Sequence, residues 1–228
     1  MKRKLKMKEK VLDELKYLIS CPEGFQKDKK YPLVIFLHGV GTRGETTEKL
    51  RENSSFLNLQ QRQTERGYIL LAPLCRNGDW NEWMSGLISL VEETRNLPYV
   101  DETRLHLTGL SMGGYGSWEL AGLRPDWFAS LMPICGGGIP GLAKRLVDVP
   151  IRAFHGLRDK TVDPIESVQM AKAVNCAGGH AELILFPEQN HRCWDAVYTN
   201  ERNYDWLLSF TTQRGKTMEE QFSGDYYG

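Results

Sequence analysis

The chain has 228 residues, a length that one domain can fill around a single core. Lys+Arg and Asp+Glu number 29 each, so no net field favours nucleic acid or an anionic membrane, and neither is expected as a partner. Apolar residues at 41% and charged residues at 25% are the balance of an ordinary globular chain rather than a fibrous or membrane-embedded one.

The start, Met1–Lys10, is basic but lacks aromatics, and Val11–Lys16 brings charges where a leader would need an apolar run. It reads as a solvated terminus without a signal peptide. No apolar stretch approaches the roughly 18 residues of a membrane-spanning helix. Cys21, Cys75, Cys135, Cys176 and Cys193 are odd in number and form no CxxC pair. Free thiols in a reducing cytoplasm fit that pattern better than a disulfide framework or a zinc site, so a cytoplasmic protein is expected.

In chain order, the pattern predicts strands at Lys16–Ser20 and Leu33–His38, helix Phe56–Arg66, strand Tyr68–Ala72 and helix Glu82–Asn96. There follow strand Arg104–Thr108, helix Met112–Leu123, and strands Ala129–Ile134 and Ile151–His155. Helix Pro164–Cys176, strand Ala181–Phe186 and helix Asn200–Phe210 complete the series. Several strands are near-continuous apolar runs, as in a parallel sheet buried on both faces. Strand–helix alternation implies an α/β domain with helices on both faces and right-handed crossovers. Without repeats or long linkers, residues 1–228 read as one domain, with 1–10 and 212–228 as flexible ends. Ligands in such sheets sit beyond the C-terminal strand ends, so informative residues should lie just after strands.

The strand Arg104–Thr108 runs straight into Gly109-Leu-Ser111-Met-Gly113, and the helical run follows at once. Chance alone yields about 0.1 GxSxG matches in a chain of this composition, so context has to decide. Strand, sharp glycine turn and helix are the context of a nucleophile elbow, which makes Ser111 the candidate nucleophile. A helix-capping serine is the plainer alternative. Acyl transfer also needs two backbone donors for an oxyanion. One would be the Met112 N–H at the helix start. The other would be the Val40 N–H, in the loop His38-Gly39-Val40-Gly41 after an early strand, where Gly39 and Gly41 let the backbone come close to a substrate.

With five histidines, the general base is found by elimination. His106 lies inside a strand, and His180 opens one on the wrong side of the sheet. His38 braces the glycine loop. His155 sits too close to the acid candidates to reach the serine as well. His191, in the loop between the last strand and the last helix, remains. Asp159 and Asp163 both follow strand Ile151–His155. Asp163 immediately precedes Pro164 and has a competing role as a helix cap, so Asp159 is preferred as the acid, with Asp163 its alternative. The order Ser111…Asp159…His191 is that of an elbow-type hydrolase.

At this point the chain resembles the α/β-hydrolase esterases grouped with dienelactone hydrolases, phospholipase/carboxylesterases and prolyl-oligopeptidase catalytic domains. The resemblance runs from about Tyr31 to Phe210 and rests on six segments in order. They are Lys30–Gly39, Val100–Arg104, Gly109–Trp118, Pro133–Gly138, Phe154–Asp159 and His191–Trp194. It implies the α/β-hydrolase fold, esterase chemistry, Val40 and Met112 as oxyanion donors, and the triad already chosen. Metal and organic cofactors are not expected, since no His/Cys/Asp cluster has ligand spacing. Two departures stand out. Dienelactone hydrolases proper use a cysteine where this chain has Ser111. The loop after the acid carries an extra residue in Val162-Asp163-Pro164, which bears on the choice between Asp159 and Asp163. Segment 136–149 is too short for a cap domain, so an open site is expected.

Trp80 and Trp194 follow strand ends and are the candidate substrate-binding aromatics. An open site with aromatic walls suits short-chain or aryl esters, including carbohydrate-linked acyl groups, as the small-molecule partner. The rivals are a peptidase of the prolyl-oligopeptidase type and a ligand-binding protein of the same fold with little turnover.

Overall fold

The computed structural model describes residues 7–12 and 14–212. Its centre is β3 (Tyr31–Leu37), where Pro32 to Leu37 is buried. Side chains alternate across a strand, so Leu33, Ile35 and Leu37 enter one apolar layer while Val34 and Phe36 enter the other. Burial on both faces requires helices above and below, and each fully buried Leu or Ile contributes about 1.5–3 kcal/mol.

The remaining strands are β1 (Met7–Leu12), β2 (Leu15–Ser20), β4 (Ile69–Pro73), β5 (Val100–Leu110), β6 (Phe128–Ile134), β7 (Ile151–Gly156) and β8 (Ala181–Phe186). They form one sheet in the order β1-β2-β4-β3-β5-β6-β7-β8. The β1–β2 and β2–β4 pairings are antiparallel and all others are parallel. One face packs against α3 (Met84–Arg95), α4 (Met112–Leu123) and α5 (Ile165–Cys176) through Leu87, Val91, Trp118, Leu120, Met170 and Val174. The other packs against α1 (Glu48–Glu52), α2 (Ser54–Arg66), α6 (Trp194–Thr199) and α7 (Glu201–Leu207) through Leu50, Phe56, Leu59, Val197, Tyr204 and Leu207. Among the described residues, no helix is long and apolar enough to cross a membrane.

The basic start departs from its reading as a free end. Met7–Leu12 is an edge strand whose ladder to β2 runs from Met7–Ser20 to Leu12–Leu15. Backbone hydrogen bonds hold it rather than apolar burial, and Glu9 adds contacts to Arg51 at 3.3 Å and the Thr47 hydroxyl at 2.6 Å. Residues 1–6 of the expected flexible start and 213–228 of the expected flexible tail lie outside the described residues, and at Thr212 the N–H donates to Thr103 O at 2.7 Å. The helix expected over Asn200–Phe210 is α7, shorter at its end, and a separate helix that was not expected, α6, precedes it. Asn200 separates the two in an extended conformation, and its side chain accepts from Arg202 N–H. Between β6 and β7 there is one short 3₁₀ turn, Pro140–Arg145, and no cap domain.

His106 and His38 are buried among these layers. His106 on β5 faces Ser130 Oγ at 2.9 Å, and that hydroxyl donates to Leu207 O at 2.8 Å, so His106 Nδ1–H is the donor. Burial lowers the pKa of His106 to about 3 and that of His38, at the end of β3, to about 4. Both values lie below the ordinary 6.5, so the unfolded chain takes up these protons first as pH falls. Stability should therefore decline from about pH 6.5 towards 4, on the order of 1.4 kcal/mol per pH unit for each histidine. Urea midpoints measured at intervals across this range check it; a His106→Gln variant that keeps its fold should show a shallower decline.

Candidate active site

The turn from β5 into α4 places Ser111 at φ 53°, ψ −120°, a left-handed conformation costing a non-glycine residue on the order of 1–3 kcal/mol. Neighbouring hydrogen bonds hold it there: Ser111 N–H donates to Ile134 O at 2.9 Å, and Tyr115 N–H donates to Ser111 O at 3.1 Å. The flanking glycines are steric requirements. A Cβ on Gly113 would lie 1.9 Å from Leu37 O, and one on Gly109 would lie 2.3 Å from Gly113 O. Met112 opens α4, so its N–H belongs to the first turn, which lacks intrahelical acceptors, at the positive end of the helix dipole.

Across from Ser111, the chain leaves β3 through His38 and Gly39 into a 3₁₀ turn, Val40–Thr42. The bonds of this turn begin with Thr42 N–H to Gly39 O and Arg43 N–H to Val40 O, so the Val40 N–H precedes the ladder. Cys75 N–H donates to His38 Nε2 at 3.0 Å, which leaves Nδ1–H to donate to Gly39 O at 2.8 Å. Arg43 fastens the far side, with Nε on Val40 O at 3.3 Å and Nη1 on Gly78 O at 2.7 Å. A Cβ on Gly39 would meet the Leu110 side chain at 2.8 Å, whereas one on Gly41 would meet nothing within 4 Å. Close packing therefore falls on the first of these two glycines.

His191, in the loop between β8 and α6, reaches Ser111 Oγ with Nε2 at 2.8 Å. Its Nδ1 lies 2.6 Å from Asp159 Oδ2. The other carboxylate oxygen, Oδ1, accepts from Thr161 N–H at 2.8 Å and Val162 N–H at 3.0 Å. Burial alone would raise the pKa of Asp159, but the bonds from His191, Val162 and Thr161 outweigh it, and the net shift is downward. The group is therefore an anion at neutral pH. Asp163 is exposed and accepts from Ile165 N–H at 2.9 Å, so of the two acid candidates it is Asp159 that meets the histidine.

One solved structure, a thermostable esterase, superposes with a TM-score of 0.78 at 29% identity, covering 91% of this chain and 63% of its own. The sheet order, the elbow and this superposition agree. The chain has the α/β-hydrolase fold.

No family model matches the chain. Dipeptidyl-peptidase 5 of Porphyromonas gingivalis is 26% identical over 83% of this chain and 35% of its own. Feruloyl esterase C of Aspergillus terreus, a probable assignment by its own name, is 27% identical over 68% of this chain and 58% of its own. The chain thus spans from about a third to somewhat over half the length of these relatives.

Of the aromatics singled out in the sequence, Trp80 is corrected. It is fully buried; its Nε1–H donates to His38 O at 3.0 Å, and its ring fills the space over Gly116. It supports the turn after β3 from beneath and presents no face to a ligand. Trp194 is half-buried and meets the His191 ring edge-on at 5.3 Å. One feature was missed: His155 Nε2 also lies 3.1 Å from Asp159 Oδ2. Its position four residues before the acid was the available signal.

Among the described residues, one trio has metal-donor atoms close together: Cys135, Asp159 and His191, within 4.8 Å of one another. Asp159 and His191 are engaged with each other, and burial together with a hydrogen bond to Cys193 pushes the Cys135 thiol far up, away from a thiolate ligand. The donor set does not fit a resident metal.

Gly113→Ala is expected to unfold the protein or destabilise it by more than about 3 kcal/mol, since backbone on both sides would have to move. Gly41→Ala should change stability by less than about 0.5 kcal/mol. Thermal melts of the two variants beside wild type test the contrast.

Proposed function

We propose that this α/β-hydrolase is a serine carboxylesterase. It hydrolyses short-chain or aryl carboxylic esters, including acyl groups carried on carbohydrate, through an acyl-enzyme at Ser111. The observation that carries this reading is the continuous line from Ser111 Oγ through His191 to Asp159 Oδ2, at 2.8 and 2.6 Å. The esterases among the similar proteins support ester over amide chemistry, and the feruloyl esterase supports an aryl acyl group.

In this scheme Ser111 Oγ attacks the ester carbonyl carbon while its proton passes to His191 Nε2. The carbonyl oxygen becomes an oxyanion, which accepts hydrogen bonds from the Val40 and Met112 N–H groups. The His191 cation, stabilised by Asp159, returns the proton to the departing alkoxide, releasing the alcohol. Water then attacks the acyl-enzyme, with His191 again taking and returning the proton, to release the carboxylic acid and free Ser111. No cofactor enters. Trp194, beside the imidazole, is the aromatic wall for the substrate. The five cysteines, all free, suit a reducing cytoplasm.

The match to Dipeptidyl-peptidase 5 over 83% of this chain favours a second reading, a peptidase using the same residues on an amide. Side-by-side assays of p-nitrophenyl acetate and an aminoacyl-p-nitroanilide separate the two, and turnover of the anilide alone would replace the ester reading.

Ser111→Ala should lower kcat on the p-nitrophenyl ester by at least about 10³-fold with the fold intact, and a fluorophosphonate probe should label Ser111 and no other serine. Near-normal kcat in that variant would remove the nucleophile assignment. EDTA should leave the rate unchanged. Asp159→Asn should cost roughly 10²–10⁴-fold in kcat, because the wrong imidazole tautomer is favoured, whereas Asp163→Asn should stay within a few-fold. The reverse pattern would move the acid to Asp163.

A further inference from the structure

Resting on the proposed hydrolase reading, we infer that His155 is a second positioning residue of the site: its Nε2–H holds the Asp159 carboxylate in line with His191. His155 ends β7 and is buried. Its Nε2 has two partners, Asp159 Oδ2 at 3.1 Å and Val162 O at 3.1 Å. One is a carboxylate oxygen and the other a carbonyl, and neither can donate. A bare Nε2 lone pair facing both would be repelled on each side, so Nε2 carries a proton whatever the charge on the ring.

The opposite side of the ring permits this. Nδ1 lies 2.7 Å from Ser167 Oγ on α5, and that oxygen lies 2.7 Å from Gly136 O beyond β6. The Ser167 hydroxyl has one proton for two acceptors: donated to Gly136 O, it leaves Nδ1 to carry a proton as well, and turned to Nδ1 it serves a neutral ring, so Nε2–H is compatible with either placement. The groups facing His155 are thus Asp159 and Val162 from its own loop, Ser167 from α5 and, through Asp159, His191 from the loop after β8. Burial and the nearby His191 both lower the His155 pKa, which favours the neutral ring. A neutral ring can donate to Asp159 without competing as a cation against the His191 imidazolium formed during turnover.

The carboxylate is then fully occupied. Oδ1 takes Thr161 N–H and Val162 N–H, and Oδ2 takes His191 and His155. Removing the His155 donor frees Oδ2 to rotate or to recruit water, which loosens His191. It also makes the carboxylate more basic, which raises the affinity of His191 for its proton.

The test uses the whole chain with His155→Phe and His155→Gln. His155→Phe should lower kcat on p-nitrophenyl acetate, and the rate of fluorophosphonate labelling, by about ten- to a hundredfold with KM within about twofold. The acid limb of its kcat/KM profile should move up by about half a pH unit. His155→Gln, whose amide N–H reaches a similar point, should recover most of the rate and return the limb. A purely structural role would lower Tm without moving the limb. If His155→Phe does not fold, the wild-type tautomer decides: histidine-selective nitrogen NMR near neutral pH should find Nε2 of His155 protonated, and an unprotonated Nε2 overturns the proposal. A wild-type chain that neither hydrolyses the ester nor takes the probe overturns the proposed function, and this role with it. A reactive wild type matched in rate and pH profile by a folded His155→Phe overturns the role of His155 alone.

Discussion

A Cβ on Gly113 would sit 1.9 Å from the carbonyl oxygen of Leu37, so the first turn of α4 can lie against the end of β3 only because no side chain intervenes there. That approach fixes much else. It sets the angle at which β5 gives way to α4 and forces Ser111 to a positive φ. It brings the N-terminal turn of a helix within reach of the turn that begins at Gly39. The serine and its two candidate oxyanion donors are thus positioned by one contact between two backbones, with His38, Trp80 and Arg43 holding the β3 side in place.

The other half of the site is built differently. The serine stands on a turn whose backbone has little freedom, whereas the histidine and the acid stand on loops, after β8 and β7. Hydrogen bonds supply the missing rigidity. Four donors converge on the Asp159 carboxylate, two from backbone and two from imidazoles, and the carboxylate in turn orients the ring that reaches Ser111. Spacing between the parts is set by the sheet, since β3, β5, β7 and β8 each contribute one of them from the same edge.

What could be read from the sequence tracks how local each cause is. The bounds of α4 and β8 coincide with expectation because a glycine turn and a bounded apolar run are properties of neighbouring residues. Asp159 could be ranked above Asp163 because the competing role of Asp163, next to Pro164, is also local. β1 was missed because its stability comes from ladder bonds to β2, which leave no apolar signature in an edge strand rich in lysine. Trp80 was misread because an aromatic after a strand can equally wall a cleft or fill a core, and only the distant carbonyl of His38 decides. His155 was set aside as a base because it lies too near the acid, and that nearness is what makes it a partner.

β8 is the outer strand of the sheet, bonded on one side only, and all but its first residue are partly exposed. Outer elements with fewer buried contacts open at lower free energy than the centre. The loop carrying His191 hangs from this strand, so a brief detachment at that edge would carry the imidazole away while β3, β5 and the serine turn stay assembled. Heat should therefore act in two stages, a reversible departure of His191 from its place beside Ser111 and then collapse of the interior, with the first midpoint several degrees below the second.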